Sequence, residues 1–261
     1  MTDFMVDSGE IPIAVRDYGG DGPAMLLLHG GGGTMAGWDV AGPLLAADFR
    51  PVAVDLRGHG KSGDGPWSWD AVVTDLEAVV SELGLRNPAV VGHSLGGGIG
   101  AWWAVKHPEC PALVNLDGHR APVTAEEHYD AGAAGISDAE LRAKIAQLNA
   151  QFDQMEAELA TAQSRPGPEI AKAIRADMKT DSLPMFAQVT VPFLLVLATR
   201  SLPQLAPELE PLMVAFRAGL RRDLAALPNV EIREVDASHG VLFEKPAEVA
   251  AIATEFVRKA S

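Results

Sequence analysis

The stretch Pro88-Ala89-Val90-Val91-Gly92-His93-Ser94-Leu95-Gly96-Gly97 decides the reading of this chain, because an apolar run enters it and a small-residue helical pattern over 97–105 leaves it. A G-x-S-x-G segment between a strand and a helix makes a turn so tight that Gly92 and Gly96 tolerate little beyond glycine. The turn holds its serine near positive φ, with the hydroxyl projecting from the edge of a sheet. The first turn of the following helix then sets its dipole and free N–H groups behind that oxygen. A glycine-rich chain produces such a motif by chance as well, so its meaning comes from the strand before it and the helix after it. Ser94 is the candidate nucleophile.

Working outward, short apolar runs recur at 11–15, 25–28, 52–54, 89–91, 112–116, 193–197 and 230–235, with helical patterns such as 69–83 and 246–257 between them. Strands alternating with helices predict a mostly parallel sheet covered on both faces. Several runs end directly in chemistry-bearing residues, as in Leu28-His29-Gly30, Val54-Asp55 and Leu116-Asp117-Gly118. Ligand sites in such sheets lie outside the carboxyl ends of the strands.

The alternation breaks between Asp117 and Val191, where helix signals replace strands. Thr124 with Glu127 and Ser137 with Glu140 read as capping boxes, and Ile136 with Leu141 as a hydrophobic staple. Leu141, Ile145, Leu148, Phe152, Met155 and Leu159 then form one apolar stripe that ends before Arg165-Pro166-Gly167-Pro168. The expected organisation is a core domain of residues 1–118 and 190–261 with a helical cap over 119–189. Most of the stripe docks the cap on the core; Met155, Met178, Met185 and Phe186 are candidates to line a substrate pocket.

Composition narrows the partners. The 261 residues are 48% hydrophobic and 21% charged, as in a globular protein, and no apolar run approaches the roughly 20 residues of a membrane span. The start lacks the basic and apolar regions of a leader, and the single cysteine, Cys110, excludes an internal disulfide, so a cytoplasmic location is expected. A net charge of −14 with no basic run beyond Arg221-Arg222 argues against nucleic acid and favours a neutral substrate. No zinc spacing is present. Gly60-Lys61-Ser62 lacks the earlier glycine of a phosphate loop, and Gly96-Gly97-Gly98-Ile99-Gly100 opens the helix behind Ser94 rather than a dinucleotide site. Neither metal nor cofactor is expected.

An acyl-transfer serine needs a base, a carboxylate to orient the base, and two donors for the oxyanion. His239, in Ala237-Ser238-His239-Gly240, follows the last apolar run and precedes the last helix, free to swing over the sheet edge. Of the other histidines, His93 points away from Ser94, His29 and His59 sit in glycine turns, and His107, His119 and His128 lie on or near helices. The loop His29-Gly30-Gly31-Gly32-Gly33 lets N–H groups approach a substrate oxygen closely, so Gly31 and Leu95 are the expected oxyanion donors, with Gly32 as the alternative to Gly31.

Over essentially its whole length the chain resembles a serine hydrolase of the α/β-hydrolase fold, a mostly parallel central sheet flanked by helices with an inserted helical cap. The resemblance rests on Leu28-His29-Gly30-Gly31, Asp55-Leu56-Arg57-Gly58-His59-Gly60-Lys61-Ser62, Gly92-His93-Ser94-Leu95-Gly96-Gly97 and Ser238-His239-Gly240, with Glu244 and Pro246 beyond. It specifies the fold far more tightly than the substrate. Similar proteins usually carry the acid in a loop after the run 193–197, where this chain reads Ala198-Thr199-Arg200-Ser201-Leu202-Pro203; a serine at 201 cannot balance an imidazolium. Asp117, closing the preceding strand, is the expected acid, at a site matching that of many haloalkane dehalogenases and of the zearalenone-type lactone hydrolases; Glu208 and Glu210 are distant contenders.

The resemblance implies cofactor-independent hydrolysis of a neutral carboxylic ester, a lactone being the sharper form. Hydroxynitrile lyases, thioesterases and carbon–carbon bond hydrolases share such a triad, and a ligand receptor on the same fold binds without turnover. Dehalogenase and epoxide hydrolase chemistry use a carboxylate nucleophile on this turn, against which Ser94 argues.

Overall fold

A computed structural model describes residues 1–121, 125–162 and 166–260, with side chains for all of these except 156–162. Eight strands, β1 (Thr2–Asp7), β2 (Pro12–Asp17), β3 (Ala24–Leu28), β4 (Arg50–Val54), β5 (Ala89–His93), β6 (Leu113–Leu116), β7 (Phe193–Ala198) and β8 (Val230–Val235), form one sheet in the order β1-β2-β4-β3-β5-β6-β7-β8. β2 lies antiparallel to both β1 and β4, and every other pair is parallel. The chain leaves β3 toward β4 on one side and returns to β5 on the other. That reversal opens a crevice at the carboxyl ends of β3 and β5.

The helices are α1 (Ala41–Leu45), α2 (Trp69–Glu82), α3 (Leu95–Lys106), α4 (Ala131–Ala134), α5 (Asp138–Ala162), α6 (Pro168–Met178), α7 (Leu183–Phe186), α8 (Glu210–Leu224), α9 (Val241–Glu244) and α10 (Pro246–Ala260). Successive residues of a strand point to opposite faces, which divides the apolar core in two. Leu26 and Leu28 of β3 face a layer that includes Leu76 of α2, Ile99 of α3 and Leu220 of α8. Met25 and Leu27 face Leu45 of α1 and Val249, Ala253 and Val257 of α10. The central strands are buried on both sides, so their sequences read as continuous apolar runs rather than as alternation.

The seven expected runs appear as β2 to β8. β1 escaped the pattern because it is an edge strand: in Thr2–Asp7 only Val6 is fully buried, and its register comes from pairing with β2. Cys110 is buried against the carbonyls of Pro88 and Ala112, and burial pushes its thiol up to about 12.

Between β6 and β7 the described residues form helices and no strand. Ser137 and Glu140 make the expected reciprocal cap of α5, with the Ser137 N–H 2.9 Å from Glu140 Oε2 and the Glu140 N–H 3.3 Å from Ser137 Oγ. Thr124 of the other expected box and the Leu159 side chain lie outside the described residues. Trp67 ties α6 to the segment before α2 through its indole N–H on Asp177, 2.9 Å away. Among the described residues no helix is long and apolar enough to cross a membrane.

Candidate active site

The turn after β5 is as tight as its glycines require. A Cβ on Gly92 would lie 2.1 Å from the Gly96 carbonyl oxygen, and one on Gly96 would lie 2.3 Å from that of Leu28. Squeezed between them, Ser94 adopts φ 53° and ψ −118°, a strained conformation for a residue with a side chain. Its N–H donates to the Leu116 carbonyl of β6 at 2.9 Å, and its own carbonyl accepts from Gly97 and Gly98 at the start of α3. The backbone is thereby pinned on both sides and the hydroxyl faces the crevice.

Over that hydroxyl, the loop after β8 lays His239, whose Nε2 is 2.9 Å from Ser94 Oγ. His239 Nδ1 is 2.7 Å from Asp117 Oδ2. The carboxylate accepts the Nδ1 proton, which leaves the Nε2 lone pair for the Ser94 O–H. The residue expected to point away from Ser94, His93, supports the base from below: its Nε2–H donates to the His239 carbonyl at 2.7 Å, while burial and the neighbouring His239 charge lower its pKa to about 4. The same loop is tied down by Ser238, which bonds to Glu244 through both its N–H and its hydroxyl.

Asp117 directly follows β6 and, like Ser94, sits at positive φ, 56°. Its N–H donates to the Val196 carbonyl at 2.8 Å, and its Oδ1 accepts from the Ala198 N–H, at the end of β7, at 2.9 Å. The Asp117 carboxylate therefore stands on one strand and is fixed by the next. Burial raises a carboxyl pKa, but the charges and hydrogen bonds of His119 and His239 outweigh it and hold Asp117 far below the usual carboxylate range. Ser201 Oγ accepts from Arg217 Nη1 at 2.9 Å. Glu210 pairs with Arg217 and Glu208 with Gln147, and neither is bonded to His239.

Among the described residues the N–H groups of Gly31 and Leu95 have no acceptor, and a Cβ on Gly31 would lie 3.8 Å from Leu95 Cδ2, so the two residues flank one space. Gly32 is not available as the alternative donor, because its N–H is bonded to His59 Nε2 at 3.2 Å. His29 and His59 are indeed turn braces. His29 Nε2 accepts from the Leu56 N–H at 3.0 Å, and burial lowers its pKa to about 3.

Above the three side chains lies a cavity of about 570 Å³, within the usual range for a small-molecule site. Met178 and Met185 line it. Met155 and Phe186 do not: α5 turns Phe152 and Asp153 to the cavity instead, and Phe186 is fully buried with its ring edge-on to Phe193 at 5.1 Å. The two tryptophans of α3 divide. Trp103 is buried and stacks on His107 at 3.8 Å, whereas Trp102 lines the cavity together with Trp69. Sequence reasoning also missed His119 and Phe216, which line the same space. The period of α8 and the Asp117-Gly118-His119 spacing were the available signals.

A family model of the alpha/beta hydrolase fold matches residues 23–246. The chain is 36% identical over 112 residues to a fluoroacetate dehalogenase of Burkholderia sp, a match covering 40% of this chain and 36% of that protein, so the chain spans about a third of that relative's length. To 2-(acetamidomethylene)succinate hydrolase of Mesorhizobium japonicum it is 27% identical over 212 residues, 73% of this chain and 75% of the relative. The crystal structure of E-2-(acetamidomethylene)succinate hydrolase shares its fold with a TM-score of 0.69 at 23% identity, covering 98% of this chain and 99% of that one. Sheet order, the strained serine turn after β5 and the family match over residues 23–246 agree, and the chain belongs to the α/β-hydrolase fold family.

Proposed function

We propose that the protein is a serine hydrolase that cleaves a neutral carboxylic ester, lactones among the candidate substrates, through an acyl-enzyme intermediate. The observation that carries this reading is the unbroken chain from Asp117 through His239 to Ser94 Oγ, with links of 2.7 and 2.9 Å. Ser94 Oγ attacks the carbonyl carbon as His239 Nε2 takes its proton, and Asp117 stabilises the resulting imidazolium. The N–H groups of Leu95 and Gly31 receive the oxyanion, with the N-terminus of α3 adding its dipole. His239 returns the proton to the leaving oxygen, and water enters by the same route in reverse. For a lactone the leaving oxygen stays tethered, and the product is one hydroxy acid.

A neutral substrate fits the cavity wall. Of the cations lining it, Arg120 is matched by Asp181 and Asp223, Arg200 by Asp236 and Glu244, and Arg217 by Glu210, while Arg175 and the exposed Lys179 line it beside the acidic Asp153 and Asp177. Trp69, Trp102, Phe152, Met178, Met185 and Phe216 supply apolar surface. The match to 2-(acetamidomethylene)succinate hydrolase over 73% of the chain favours a second reading, hydrolysis of an N-acyl, carboxylate-bearing compound on the same triad. Ser94 argues against the dehalogenation named for the other relative, which on this turn calls for a carboxylate.

The test pairs fluorophosphonate labelling with turnover of p-nitrophenyl esters, lactones of several ring sizes, succinyl esters and N-acyl enamines. Labelling at Ser94, preference for neutral esters, and loss of at least a thousandfold in Ser94→Ala with the fold intact are expected. A Ser94→Ala variant that keeps a tenth of the rate overturns the assignment, and a clear preference for succinyl or N-acyl substrates moves it to the second reading.

A further inference from the structure

His119 stands two residues beyond Asp117 and takes the carboxylate oxygen that His239 leaves. Its Nε2 is 3.2 Å from Asp117 Oδ1, and its Nδ1 is 2.7 Å from the Arg120 carbonyl oxygen. Both partners accept and neither has a proton to give. A neutral imidazole carries one N–H, so either tautomer would set a ring lone pair against an oxygen lone pair. The side chains of His119 and Asp117 are only 12% and 7% exposed, so water does little to soften that repulsion. The imidazolium alone donates at both ends.

Of the charges beside His119, Asp117 favours a cation and Arg120 opposes it. From its own loop His119 meets Asp117 and Arg120; Asp181 precedes α7, Asp223 and Arg217 come from α8, and His239 lies across Asp117 on the loop after β8. The Arg120 guanidinium, 2% exposed, is 3.1 Å from Asp181 and 2.9 Å from Asp223, and His128 Nε2 stands 3.7 Å from Asp181. Arg217 is held by Glu210. The carboxylates near Arg120 and Arg217 are thus matched by those guanidiniums, and Asp117 is the carboxylate that faces His119. From α8 the remaining neighbour is the Phe216 ring, 6.0 Å away and uncharged. Burial and the Arg120 charge lower the pKa of His119, but the charge and hydrogen bond of Asp117, with the bond to the Arg120 carbonyl, outweigh them, so His119 stands above its ordinary value of 6.5.

We propose that His119 is a positioning residue that stays protonated during turnover: as a fixed cation on Asp117 Oδ1, it aims Oδ2 at His239 and keeps His239 a free base to lower pH than a lone aspartate would. The proposal rests on the serine-hydrolase reading above. During acylation the proton moves from Ser94 Oγ to His239 Nε2, so two imidazolium rings then share one carboxylate. Each weakens the hold of Asp117 on the other, which lowers the proton affinity of His239.

Two experiments test this. In the first, histidine side-chain ¹⁵N–¹H spectra of the substrate-free protein are followed from pH 6 to 9, with the His119 signals assigned by their absence in His119→Gln. Both His119 nitrogens are expected to show imidazolium shifts at pH 7.5, where His29 and His93 show neutral tautomers. A neutral His119 at pH 7.5 overturns the proposal. In the second, pH profiles of kcat/KM are compared for wild type and His119→Gln, whose amide still donates to Asp117 without a charge. The acid limb is expected to move up by roughly one pH unit. A fall in rate at every pH with the limb unmoved identifies a structural role only and overturns the proposal. The spectra need no turnover, so failure of the hydrolase reading, seen as an active Ser94→Ala, is distinguishable from failure here.

Discussion

Asp117→Asn tests the proposed triad most sharply, because the structure dictates which way the amide would lie. Asp117 Oδ1 receives two donors, the Ala198 N–H at 2.9 Å and His119 Nε2 at 3.2 Å, whereas Oδ2 faces His239 Nδ1 at 2.7 Å. The asparagine carbonyl must take the Oδ1 place, since an NH₂ there would meet two N–H groups. Its NH₂ then points at His239 Nδ1 and forces that nitrogen to accept. The ring proton moves to Nε2, where it faces Ser94 Oγ, and the base has no lone pair for the serine. With the imidazolium also unsupported, kcat should fall about 10²- to 10⁴-fold, roughly 3–5 kcal/mol of transition-state stabilisation. The assay is kcat on the best ester, read with the rate of fluorophosphonate labelling and a thermal melt of the same preparation. Near-full activity in a folded variant, or equal damage from Glu208→Gln or Glu210→Gln, refutes the reasoning. Ser201→Ala should be nearly silent, because Ser201 Oγ serves Arg217 and not His239. Adding Ser201→Asp to Asp117→Asn should return part of the rate only if the loop after β7 can bring that carboxylate to Nδ1.

Two further predictions concern stability. Arg57 is 1% exposed and binds both oxygens of the buried Asp75 at 2.7 and 2.9 Å, so Arg57→Leu strands a buried carboxylate and should cost about 3–5 kcal/mol in a denaturant melt, with a silent result refuting the pairing. His119 has a raised folded-state pKa, so its contribution is complete below its unfolded value of 6.5 and is lost as pH rises through the folded value; Asp117, held low, contributes above the ordinary 3.8 and loses its share in acid. The Tm difference between wild type and His119→Gln should therefore be constant from pH 5 to 6 and shrink on the alkaline side, and a difference that grows with pH would reverse the assignment.

What could be read from the residues divides along physical lines. Strands buried on both faces announce themselves as apolar runs, and the Gly92 and Gly96 contacts of 2.1 and 2.3 Å show why the serine turn admits so few spellings. The expectation for Asp117 came from the resemblance, which puts the acid either in the loop where this chain has the uncharged Ser201 or, in some similar proteins, at the end of the preceding strand. β1 was not legible, since an edge strand needs no apolar pattern when a neighbour supplies its hydrogen bonds. Met155 misled because a stripe on a helix gives the face that is buried but not what buries it, and a turn of a few tens of degrees exchanges Phe152 for Met155 at the cavity wall; Phe186 sits on the short α7, where its ring packs on Phe193 instead. His119 was hidden for the opposite reason. A histidine two residues past a strand has no period to join, and its role depends on Asp117 adopting φ 56°, which turns the following loop back across the carboxylate. The backbone strain at Ser94 and Asp117 falls on the two loop starts whose side chains must meet His239. Strained positions persist only where the surroundings over-determine them, and here each has its N–H fixed on the neighbouring strand, Ser94 on β6 and Asp117 on β7. The sheet thus holds Ser94 and Asp117 at a fixed separation, and His239 reaches both from the loop after β8, which is braced by the His239 carbonyl on His93, by Ser238 on Glu244 and by the Ala237 carbonyl on the Arg200 N–H.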